Sequence, residues 1–88
     1  MTRSPMHRTV ATITIKDQMA DFYRRAIDEG RIGDGVRIAS RRDVAIQWGV
    51  AIGTVTKVFR LLSDQGYVRS HGSQGTYAIG PAHRQRAA

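Results

Sequence analysis

The chain has no cysteine. Disulfides and thiolate metal sites are therefore excluded, and a cytoplasmic location is the expectation. It also has no run of about 18 apolar residues, the length a membrane helix requires, so no membrane partner is expected. No apolar stretch follows the charged N-terminus Met1-Thr2-Arg3-Ser4-Pro5, and no signal peptide is read there. The histidines His7, His71 and His83 lack metal-ligand spacing. No nucleophile–base pair and no phosphate-cradling glycine loop is visible, so neither an enzyme nor a cofactor is expected. Acidic residues are scarce as well: 7 Asp and Glu stand against 14 Lys and Arg, a net charge of +7 in 88 residues.

That length holds one small domain with a modest core, and leaves no room for a separate ligand-binding domain. The charge is unevenly spread. Residues 16–29 set Lys16, Arg24 and Arg25 against Asp17, Asp21, Asp28 and Glu29, a slight acidic excess, while the segments on either side are basic. Such a split orients a protein on a polyanion; a merely solubilising surface is the plain alternative.

The pattern along the chain resolves into elements. Residues 1–14 read as a flexible tail or short strand, with Thr9 to Ile15 alternating. From Lys16, the spacing of Ile15, Met19, Phe22, Tyr23, Ala26 and Ile27 predicts a helix ended by Gly30. Gly33-Asp34-Gly35 marks a turn before a possible strand, Val36-Arg37-Ile38. Ser40 caps a second helix, with Asp43 placed to return the bond, and Val44, Ala45 and Trp48 give its buried face. Gly49-Val50 breaks it. A third helix from about Ala51 to Gln65 carries the stripe Val55, Val58, Phe59 and Leu62 and ends at Gly66. Tyr67–His71 and Thr76–Ile79 read as strands joined by Gly72-Ser73-Gln74-Gly75, with Tyr67 and Tyr77 expected in the core. Pro81 to Ala88 reads as a disordered basic tail. The fold class is thus mainly α with some β: a helix-turn-helix of three helices followed by a two- to three-stranded β-wing, over residues 15–80. A helix held at a fixed angle behind a short turn is suited to the major groove, and a hairpin tip beside it to the minor groove or backbone. The expected function is therefore the reading of double-stranded DNA.

From about Ile15 to Ala78 the chain resembles the N-terminal winged-helix domain of the GntR family of bacterial transcription regulators. The family pattern of a helix closing on Gly, then Pro-Gly-Asp-Arg-Leu-Pro-Ser and a charged run, is similar to Gly30, Ile32, Asp34-Gly35-Val36-Arg37-Ile38-Ala39-Ser40 and Arg41-Arg42-Asp43-Val44-Ala45. Its Gly-Val, Thr-Val and Glu-Gly-Leu-Val correspond to Gly49-Val50, Thr54-Val55 and Gln65-Gly66-Tyr67-Val68. Its closing Gly-x-Gly-Thr-Phe is similar to Ser73-Gln74-Gly75-Thr76-Tyr77. Both family prolines are missing, replaced by Asp34 and Ala39, and the usual polar opening of the recognition helix is here Ala51-Ile52-Gly53. Family members carry a larger effector-binding or oligomerising domain behind the wing, which the chain is expected to lack.

The resemblance implies a set of DNA-binding residues. Arg42 matches a phosphate- or groove-contacting arginine, and Arg41 beside it opposes the helix dipole, which points to an external anion. Thr54, Thr56, Lys57 and Arg60 form the polar side of the third helix, the groove side of a recognition helix. The spacing of Ile52 to Val55 and Phe59 allows it a place in the core, yet it falls where the family exposes a base-reading residue and can press on a thymine methyl, while Gly53 allows close approach of the backbone. His71, Gly72 and Gln74 lie at the wing tip, which contacts the minor groove in relatives. The implied protein is a transcription regulator of repressor type, monomeric when free and pairing as a homodimer on a palindromic operator. The rival reading from another class is a winged-helix interaction module whose basic face docks on an acidic protein.

Overall fold

The structure, a computed structural model, describes residues 14–84. Helix α1 spans Ile15–Asp28 and begins where Thr14 caps it: the Asp17 N–H donates to Thr14 Oγ1 at 3.1 Å and the Thr14 N–H to Asp17 Oδ2 at 3.4 Å. This reciprocal box satisfies two otherwise orphaned donors. Thr14 and Ile15 are thus helix start, not the end of an alternating strand; the rest of the expected tail lies outside the described residues. Met19, Ala20, Tyr23, Ala26 and Ile27 are buried. Ile15 and Phe22 remain 40% and 43% exposed. A stripe roughly 100° wide takes Tyr23 fully and leaves its neighbour Phe22 on the rim.

A short strand β1 (Arg37–Ile38) leads to α2 (Arg41–Trp48). Ser40 caps α2 by accepting the Asp43 N–H at 3.1 Å. The return bond expected from Asp43 is missing from the hydrogen bonds of the described residues, so half of the box forms. Gly49 adopts the left-handed conformation at φ +68°, which ends α2 and turns the chain into α3 (Ile52–Asp64). Ala51 sits at the start of α3 and supplies no side-chain cap. Val55, Val58, Phe59 and Leu62 are buried as their spacing predicts. They meet Met19, Tyr23 and Ile27 of α1 and Val44 of α2 in one core, with Trp48, Val50 and Tyr67 half-buried against it.

Strand β2 (Val68–Ser70), a 3₁₀ turn at Gly72–Gln74 and strand β3 (Thr76–Ala78) form the wing. The sheet is antiparallel in the order β1-β3-β2, with Arg37 opposite Tyr77 and Tyr77 opposite Arg69. Val68, Thr76 and Ala78 face the core. Tyr77 is on the other face and half-exposed, so it supports the wing from outside the core, because side chains alternate along β3. The result is a winged helix-turn-helix: three helices and a three-stranded antiparallel sheet.

Residues 81–84 differ from the disordered tail expected there. Pro81–His83 make a 3₁₀ turn, and the Gly80 N–H donates to Asp34 Oδ1 at 2.7 Å. Arg84 then reaches back to Asp28 Oδ1 at 2.8 Å and lies 3.9 Å from the centroid of the Tyr67 ring. These contacts tie the end of the wing to the end of α1. No helix among the described residues is long and apolar enough to cross a membrane.

Candidate nucleic-acid interface

α3 has two faces set by its sequence. The buried stripe anchors it, which turns Ile52, Gly53, Lys57, Arg60 and Leu61 outward. Ile52 is 48% exposed in the first turn, so it is a surface side chain and not a core one. Thr54 and Thr56 are half-buried at the flanks. The Thr56 hydroxyl donates to the Ile52 carbonyl at 3.2 Å, leaving its oxygen free to accept.

Arg41 and Arg42 are both exposed in the first turn of α2. A crevice between α3 and the wing brings together Arg41, Thr56, Arg60, Ser63, Ser70 and Asp64. A second crevice continues from Arg41 along Arg37, Ser70, Gly72 and Gly75 to the wing tip. Arg41 therefore joins the helix side of the site to the wing side. Lys57 and Ile52 lie outside both crevices, on the outer face of α3.

The wing tip is braced. Arg37 Nε donates to the Gln74 carbonyl at 3.1 Å, and the Tyr77 hydroxyl donates to the same oxygen at 3.3 Å. Gly75 makes this possible: its φ is +115°, and a Cβ there would stand 2.5 Å from Arg37 Nε. His71, Gly72 and Gln74 are exposed on this brace, with the His71 ring edge-on to Tyr77 at 5.3 Å between centroids. The sequence reading missed Arg37 and Ser70. Alternation against buried Ile38 already turns Arg37 outward, but its partner, Gln74, is remote in sequence.

The charges divide by face. Asp21 is held by Arg24 and Arg25, Glu29 by Arg31 and Asp28 by Arg84. Among the described residues, Arg37, Arg41, Arg42, Lys57, Arg60 and Arg69 have no carboxylate within 4.0 Å. Most charges of α1 are thus paired, Lys16 and Asp17 excepted, while the other cations without partners among the described residues lie on β1, α2, α3 and the wing, with Asp43 and Asp64 as the carboxylates beside them. Unneutralised cations flanking a groove are what a phosphate backbone requires.

Behind the site, Trp48 Nε1 donates to the Tyr23 hydroxyl oxygen at 3.2 Å, tying α2 to α1 and fixing the angle at which α3 is presented. Burial pushes the Tyr23 phenol above its ordinary value of 10.0, and the Trp48 bond partly offsets the rise.

No family model matches the chain. In sequence it is similar to the HTH-type transcriptional regulator SmoD of Agrobacterium fabrum, 31% identical over 72 residues, which is 82% of this chain and 31% of SmoD. In fold it is similar to a GntR family transcriptional regulator from Listeria monocytogenes, with TM-score 0.74 and 18% identity over 81% of this chain and 62% of that one. It is also similar to YtrA from Sulfolobus acidocaldarius, a GntR-family transcription factor, with TM-score 0.71 and 25% identity over 88% of this chain and 62% of that one. The chain spans about a third of SmoD and less than two thirds of either structure.

Proposed function

We propose that the chain, as a winged helix-turn-helix domain of the GntR type, is a sequence-specific, double-stranded DNA-binding transcription regulator and not an enzyme, acting in the cytoplasm as a repressor. The observation that carries this reading is the set of unpaired cations, Arg41, Arg42, Lys57 and Arg60, around an exposed α3 face with a braced wing beside it. Arg41, Arg42, Lys57 and Arg60 take phosphates and set the register. Ile52 presses on a thymine methyl, Thr54 and Thr56 flank it, and Gly53 lets the backbone come close. His71, Gly72 and Gln74 enter the adjacent minor groove. One such module reads few base pairs, so two copies occupy a palindromic operator as a homodimer, and repression follows from occluding the promoter.

Selection of bound sequences from a random duplex library tests this. An inverted repeat should be enriched, with half-site centres about one helical turn apart. Absence of DNA binding together with saturable binding to an acidic protein would establish the interaction-module reading instead.

A further inference from the structure

The wing sheet has two faces, and the core uses one of them. Val68, Thr76 and Ala78 point into the core, so alternation turns Arg69 and Tyr77 to the opposite side. In register, Arg37, Tyr77 and Arg69 form a single row across the sheet, a half-buried ring between two arginines. Arg37 is committed to the Gln74 carbonyl. Arg69 is exposed and has no carboxylate within 4.0 Å among the described residues.

The 3₁₀ turn Pro81–His83 closes one side of this face. It leaves an open cavity of about 590 Å³ lined by Asp34, Arg69, His71, Gln74, Tyr77 and His83 among others. That volume lies within the range of small-molecule sites. The one carboxylate in it, Asp34, already accepts from the Gly80 N–H at 2.7 Å, and its Oδ2 lies 3.0 Å from His83 Nδ1. Both of its oxygens thus have a neighbour within the protein, whereas the Arg69 guanidinium has no acidic partner within 4.0 Å among the described residues.

We propose that this outer face of the wing binds a phosphate group, with Arg69 as its anchor. The planar guanidinium offers two parallel donors to a phosphate, and Tyr77 offers a ring against which an attached sugar or base can rest. His71 and His83 stand at the rim. The phosphate belongs to a phosphorylated small molecule, which a cavity of this volume with a ring beside its cation suits; contact of the wing with a DNA backbone is already part of the proposed function. The site is on the face of the sheet away from the core and does not rest on the major-groove reading.

The test is a nuclear magnetic resonance titration of the 88-residue chain with inorganic phosphate, then adenosine monophosphate, then a mixed-sequence duplex. Saturable shifts at Arg69, His71 and Tyr77 are expected. Arg69→Ala should weaken the interaction at least about tenfold, as loss of a charge-assisted contact does, and Arg69→Lys less, because it keeps the charge without the fork. Saturation by inorganic phosphate or adenosine monophosphate assigns the site to a small molecule. Shifts with the duplex alone, and a salt slope about one unit shallower in Arg69→Ala, would make Arg69 part of the DNA-binding face and overturn the proposal. Identical titrations for wild type and Arg69→Ala, or shifts that never saturate, overturn the proposal. Lys57→Ala weakens duplex binding from α3 and should leave the inorganic phosphate titration as in wild type, so failure of the two readings is told apart.

Discussion

Arg84→Ala is expected to destabilise the domain by about 1.5 kcal/mol, although Arg84 lies beyond the last strand. Its guanidinium stacks 3.9 Å from the Tyr67 centroid with 18% of the side chain exposed. A cation–π contact that far from water contributes about 1.5 kcal/mol. The partner Asp28 is 44% exposed, so the 2.8 Å ion pair behaves as a surface pair and adds about 0.5 kcal/mol. The 3.3 Å bond to the Ile79 carbonyl adds about as much. Opposing these, Arg84 Nε is buried without a partner, and removing it returns about 1 kcal/mol. For a domain of this size 1 kcal/mol moves Tm by about 4–8 °C, so the midpoint should fall by about 6–12 °C. Urea denaturation followed through Trp48 fluorescence reads the change directly, and Asp28→Asn should account for the smaller, salt-sensitive part. An unchanged midpoint in Arg84→Ala would refute the reasoning and return residues 81–84 to the role of a loose tail.

Leu62→Ala, at a site with 0% exposure where α3 meets the core, should lower stability by about 3 kcal/mol in the same denaturation assay. Gly75→Ala forces a side chain into the left-handed region and against Arg37; it should loosen the wing tip and weaken DNA binding several-fold, while amide exchange in α1 and α3 stays as in wild type. Tyr23 has its phenol pKa raised by burial in the folded state, so its contribution to stability is complete below about pH 10 and is lost as pH rises through the higher folded value. Tyr23→Phe should flatten that alkaline decline in a pH series of thermal melts, at the loss of about 1 kcal/mol from the bond to Trp48.

The elements whose signals are local are the ones the sequence makes plain. Val55, Val58, Phe59 and Leu62 recur at helical spacing between Ala51 and Gly66, and α3 follows within a residue at either end. Gly49 announces the turn of the helix-turn-helix because a left-handed residue is needed there. At Thr14 two local signals compete: alternation from Thr9 points to a strand, while Thr14 with Asp17 three residues on is a capping pair, and the cap wins because it satisfies backbone donors. What the sequence conceals is long-range. Arg84 with Asp28, Arg37 with Gln74 and Gly80 with Asp34 join segments far apart in the chain, and no spacing rule relates them. The exposure of Ile52 is not legible from spacing, which allows it a place in the core beside Val55 and Phe59; the packing of α3 decides it. The hidden part of the site is how Arg41 comes to lie between α3 and the wing, which depends on the packing of α2 against α3.

The most direct test of DNA binding through this face is a salt titration of duplex affinity for the wild-type chain, Lys57→Ala and Arg42→Ala. With about four to six phosphates contacted, log affinity should fall against log salt with a slope near about −4 to −5, and each variant should be shallower by about one unit with all sequences weakened alike. A flat wild-type slope, or variants with the wild-type slope, would mean that the unpaired cations of α2 and α3 do not meet DNA phosphates.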